Sequence, residues 1–146
     1  VRFFLILGSF LFILSIKGQS VLDFKKKSST NSVSRTAMLD LLRTSVKKEI
    51  NQDVVFVVNH FLVSGNYAWL EATAQSKISG KELRMPEDGY DCCGVQALFI
   101  KNAKGVWKIL DSGAFSTDVW YHCIGKRYPN ANPRIFTEIA YNSYCE

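Results

Sequence analysis

The spacing of apolar residues changes near Ile50. Upstream, Met38, Leu41, Leu42, Val46 and Ile50 recur at steps of three and four, which predicts a helix over Ser34–Ile50 with one apolar stripe. Ser34, or Ser32, can cap its start, and Lys47 and Lys48 suit the negative end of its dipole. Downstream the β-branched and aromatic content rises. Val54–Val63 reads as a strand, and Ser64-Gly65-Asn66 turns it. Tyr67–Gln75 returns with Ala68, Leu70, Ala72 and Ala74 on one face and Tyr67, Trp69, Glu71 and Thr73 on the other. Ile78–Asp91 is polar, with Gly80, Pro86 and Gly89, and reads as a loop. Cys93–Ile100 is a third strand, Asn102–Gly105 a turn, and Val106–Leu110 a fourth strand. Thr117 is placed to cap a short helix beginning at Asp118, and Pro129 and Pro133 limit regular structure beyond it. Ile135, Phe136 and Ile139 should then pack back on the body. One helix followed by antiparallel hairpins is an α+β pattern. It implies an N-terminal helix on a curved antiparallel sheet of about four strands, with a short C-terminal helix.

The first residues follow a different rule. Arg2, an apolar run from Phe3 to Leu14 and a small residue at Gly18 have the layout of a secretory signal peptide. The run is shorter than the roughly 20 residues that span a bilayer. Residues 1–18 are therefore expected to be removed, with cleavage after Gly18 or, alternatively, after Ser20, and no transmembrane span is expected afterwards. Residues 19–33, rich in serine and carrying Lys25-Lys26-Lys27, read as a flexible lead-in, and 34–146 as one domain. The address would be periplasmic or fully secreted.

An oxidising address changes the reading of the cysteines. Cys92, Cys93, Cys123 and Cys145 are an even set in an exported chain, which favours disulfides. Three connectivities are possible. Direct pairing of Cys92 with Cys93 is the least favoured, because neighbours on a strand point to opposite faces and the closed ring is small. Cys93 shares a face with Val95, Ala97 and Phe99, so one of the two should meet a core and the other reach the C-terminal segment. A single Cys123–Cys145 or Cys92–Cys123 bridge with two buried thiols is the further option. The Cys-x-x-Cys spacing of redox and zinc sites is absent, as is His-x-x-x-His, so neither a metal nor thiol chemistry is expected.

Charge excludes little. The chain carries +5, of which Arg2 and Lys17 supply two, too weak a balance to imply nucleic acid as a partner. No Gly-x-Ser-x-Gly, phosphate loop or His-Glu-x-x-His occurs, and no cofactor is expected. Four residues could do acid–base work. Asp118 and His122 would share one face if 117–126 is helical. Asp111 would join the face of Trp107 and Ile109 if the last strand continues, the alternative being a turn or bulge at Asp111–Gly113. His60 lies on the face of Phe56, Val58 and Leu62. Trp69, Trp107, Trp120 and Tyr121, with Tyr67, could line an aromatic cleft, or simply fill a small core.

The order of elements is similar to that of cystatin-like and NTF2-like folds, where a curved sheet wraps a helix. The stretches RTAMLDLLR, VVFVVNHFLVSGNYAWLEA and GVWKILDSGAFSTDVW resemble small exported bacterial proteins of uncharacterised function, over roughly Arg35 to Phe136. The resemblance brings no activity to transfer. The resulting expectation is a non-catalytic exported domain that binds a small ligand or an envelope protein. The alternative is an NTF2-like enzyme with an Asp/His acid–base pair in a pocket.

Overall fold

The structure, a computed structural model, describes residues 19–80, 83–85, 90–142 and 144–145. The expected signal segment 1–18, and Pro86 and Gly89 of the expected loop, lie outside the described residues.

Five strands form one antiparallel sheet in chain order: β1 (Val21–Asp23), β2 (Val54–Ser64), β3 (Tyr67–Ser76), β4 (Gly94–Lys101) and β5 (Trp107–Ala114). The long helix α1 (Ser32–Ile50) lies between β1 and β2 in sequence. The expected α+β class is observed, with one strand more than the sequence pattern predicted. The extra strand, β1, falls in the segment read as a flexible lead-in. It pairs with the outer side of β2, Val21 opposite Ser64. Three residues are too few to show a period-two signal. The rest of the lead-in is also tied down. Phe24 is buried and meets Phe61 edge-on at 5.8 Å. Arg35 Nε donates to the Phe24 carbonyl at 2.8 Å, and Asn31 Nδ2 to that of Lys26 at 2.9 Å.

Asn31, not Ser32 or Ser34, occupies the N-cap of α1, and its side chain serves the lead-in loop rather than the helix. At the other end Asn51 adopts the left-handed conformation, and its N–H closes on the carbonyl of Lys47. Met38, Leu42, Val46 and Ile50 are buried as the stripe predicts, joined by Leu39. Leu41, expected in that stripe, is turned to the helix flank and is 36 % exposed.

The helix covers one face of the sheet. It runs nearest to β5 and β2, and Ala68, Ala72, Ala74 and Ala97 of the inner strands, with Phe61, Leu70, Val95 and Phe99, make up the layer beneath it. The opposite face is covered by the C-terminal segment, which brings Ile124, Ala131, Ile135, Phe136 and Ala140 onto Trp69 and Leu98. The inner strands are thus buried on both sides, which is why Ala97-Leu98-Phe99 is continuously apolar instead of alternating. That covering segment is mostly turns. The short C-terminal helix α2 spans only Ile124–Arg127, later than the sequence pattern predicted, followed by a 3-10 turn at Pro133–Ile135. Ile135 and Phe136 pack back as expected, whereas Ile139 is exposed.

Candidate functional site

Two β-bulges decide where the chemistry-bearing side chains point. In β2, Val58 faces Ala72 and His60 faces Glu71, so Asn59 is an extra residue. In β5, Ile109 faces Phe99 and Asp111 faces Leu98, so Leu110 is extra. Each extra residue reverses the alternation beyond it. His60 therefore leaves the face of Phe56 and Val58, and keeps only Leu62 as a companion from the expected set. Asp111 does lie on the continued strand, but on the face opposite to Trp107 and Ile109. Both residues end on the side covered by the C-terminal segment.

There the register aligns His60, Glu71, Gln96 and Gly113 in one row across four strands. Each polar member holds part of the covering segment or the core beneath it. His60 Nε2 donates to the carbonyl of Ile135 at 2.6 Å, which places the proton on that nitrogen. Glu71 Oε1 accepts from Trp69 Nε1 at 2.9 Å and from the Thr137 hydroxyl. Gln96 Oε1 accepts from Trp120 Nε1 at 3.0 Å, and the indole lies over Gly113, where a Cβ would collide with it. In the next row Asp111 Oδ2 accepts from the Tyr128 hydroxyl at 3.1 Å, with Arg127 at 3.7 Å. Glu71, Gln96, Tyr128 and Thr137 carry no motif. Only the cross-strand register reveals them.

The candidate acid–base groups are not brought together. Asp111 on β5 and His60 on β2 are three strand spacings apart, roughly 14 Å. The helix that would align Asp118 with His122 is not formed. Residues 118–123 are irregular, ending in a turn over Trp120–Cys123, α2 starts at Ile124, and the Asp118 N–H is taken by the Ser116 hydroxyl oxygen. Both side chains are exposed. Burial raises the Tyr121 phenol above its ordinary value, helped by the charge of Glu71. Burial also raises Tyr128, followed by its hydrogen bond to Asp111. Both hydroxyls are therefore protonated at neutral pH, and that of Tyr128 donates to Asp111. A polar recess of about 220 Å³ beside Asp91, Gln96, Asp118 and Tyr121 contains no imidazole.

The four aromatic candidates divide. Trp69 is fully buried, with ring centroids 6.4 Å from Trp120, 5.9 Å from Tyr121 and 5.7 Å from Phe136. These three candidates form a second core. Trp107 lies on the helix side, under Lys101 Nζ at 5.0 Å, and its Nε1 is the buried side-chain polar atom without a hydrogen-bond partner among the described residues.

The cysteines pair as Cys92 with Cys93 and Cys123 with Cys145, each at disulfide distance. The vicinal pairing corrects the sequence expectation. The pair precedes β4, in a bend where strand alternation does not apply, and the peptide bond joining the two residues is cis. Cys93 faces the core with Val95, Ala97 and Phe99 as expected, but Cys92 is exposed beside it and does not reach the C-terminal segment. Among the described residues no cluster of His, Cys, Asp or Glu could hold a metal ion, and no helix is long and apolar enough to cross a membrane.

A further concave feature, among several shallow depressions around α1, is a groove between α1 and β5. Val33, Ala37 and Leu41, each four residues apart on the helix, form one wall. Gly105, Val106 and Trp107 form the other in a depression of about 300 Å³. It continues past Leu41 as a second depression of about 420 Å³, bounded by Ile109, Thr44, Ser45 and Lys48. Val33 is 83 % exposed and Val106 53 %. No family model matches the chain, and none of the curated proteins or solved structures compared with it does.

Proposed function

We propose that the chain is an exported, non-catalytic binding domain of the cell envelope, and that it takes an apolar ligand in the groove between α1 and β5. The observation that carries this reading is the groove itself. It is a concave strip whose apolar part is made by Val33, Ala37, Leu41, Val106, Trp107 and Ile109, with Asp40, Thr44, Ser45 and Lys48 at its far end, on a domain whose candidate acid–base residues are spread over separate places. Two cysteine pairs at disulfide distance support an oxidising compartment.

The test is titration of the purified chain with anilinonaphthalene sulfonate, a fluorescent apolar anion. Saturable binding, abolished by Leu41→Glu and retained by Asp118→Ala and His122→Ala, supports the reading. Equal binding by Leu41→Glu would remove the groove as the site. Intact mass of the protein recovered outside the cytoplasm tests export separately. An N-terminus at Gln19 or Val21 with all four thiols oxidised is the expected result.

A further inference from the structure

We infer that the partner of this groove is an extended polypeptide segment of alternating apolar and acidic residues, added as a sixth strand to β5. The inference rests on the groove being a binding site, and names its occupant. β5 is an edge of the sheet, and among the described residues no strand pairs with its outer side. An edge strand offers unpaired N–H and C=O groups to an incoming chain. Side chains of such a chain alternate between the two faces of the sheet.

The two faces differ in chemistry at this edge. On the helix side an added strand would meet Val33, Ala37 and Leu41 of α1, with Trp107 and Ile109 beside it, and this part of the groove accepts apolar side chains, while Asp40, Thr44, Ser45 and Lys48 line its far end. The opposite side is set by the register. Lys108 pairs with Ile100 and so lies on the face of Leu98 and Asp111, away from the helix. Lys108 and the turn residue Lys104 are exposed, and neither takes part in an ion pair among the described residues. Asp111, the acid on that face, is engaged by Tyr128 and Arg127. Carboxylates are the matching side chains there. The same lysines disfavour a second copy of this chain as occupant, because identical edges would bring like charges together.

The test uses the full chain and two synthetic peptides of eight residues, the length of β5. One alternates valine with glutamate and the other valine with lysine. The glutamate peptide should bind saturably, with nuclear Overhauser contacts to Trp107–Ala114. Lys108→Glu should weaken it about fivefold, the size of one exposed ion pair, and improve the lysine peptide by a similar factor. Leu41→Glu should weaken the glutamate peptide about tenfold or more by placing a charge in the apolar strip, and Val33→Glu serves as the second such variant. Equal affinity for both peptides, contacts elsewhere on the molecule, or β5 amides protected through self-association without peptide would each overturn the inference. If anilinonaphthalene sulfonate occupies the groove but the glutamate peptide does not bind, strand addition falls and the groove reading stands. If neither binds, both fall.

Discussion

Individual side chains on the C-terminal side of the sheet are held by specific partners, and their removal should register in stability. Gly113 lies beneath the Trp120 indole, and any Cβ there meets the ring. Gly113→Ala should force the indole from its bond to Gln96 and cost about 1–3 kcal/mol, read by urea unfolding. The Tyr128 phenol is raised above its ordinary value of about 10 by burial and by Asp111. The folded state thus holds this proton more tightly than the unfolded chain. The resulting stability is complete below about pH 10 and is lost as pH rises through the raised folded value. Tyr128→Phe should be less stable than the native chain at neutral pH, and the gap should close in alkaline unfolding titrations. None of these partnerships was legible in the sequence. Glu71, Gln96 and Tyr128 look like ordinary surface residues until two bulges align their neighbours.

At the level of elements, long stretches of periodic sequence specify their structure and short ones do not. α1 and the four long strands follow from sustained spacing of apolar residues, because burial of one face selects such spacing. β1 escaped because three residues carry no period, and the late helix was placed too early because Asp118 and Val119 imitate a helix start. His60 and, on a continued strand, Asp111 lie on the faces opposite to those a plain period of two predicts for one physical reason: a bulge one residue before each inserts an extra residue, Asn59 in β2 and Leu110 in β5. The covering segment has little regular structure of its own, so its position depends on anchors. Cys123 and Cys145 are 22 residues apart and close its end. Replacing both by serine should cost about 3 kcal/mol on a chain-entropy basis. Amide exchange of Ile124–Tyr141 should speed up more than that of β3 and β4.

On the scale of the whole molecule, the sheet is the middle of three layers, with α1 on one side and the C-terminal segment on the other. The lead-in belongs to this body. Phe24 is buried against Phe61, and Phe24→Ala should destabilise the entire domain by about 3–5 kcal/mol in a single cooperative transition. A merely tethered lead-in would show no such effect. The two edges of the sheet are then unequal. β1 occupies one side of the long strands, while β5 stands open next to an apolar groove. That asymmetry was invisible in the sequence, since Val33, Ala37 and Leu41 share a helix with the core stripe and differ from it only in facing β5.

The two extra residues also set where the chain tolerates a change in length. Asn59 and Leu110 have no partner opposite them, and the pairing resumes in register on either side. Deleting either one would join two stretches that already alternate correctly, leaving every later side chain on its present face. Deletion at a neighbouring paired residue, such as Val57 or Lys108, forces the bulge itself to absorb the shift or reverses part of the strand. A single-residue deletion scan through β2 and β5 should therefore show two isolated permissive positions, and folded yield should drop on both sides of each.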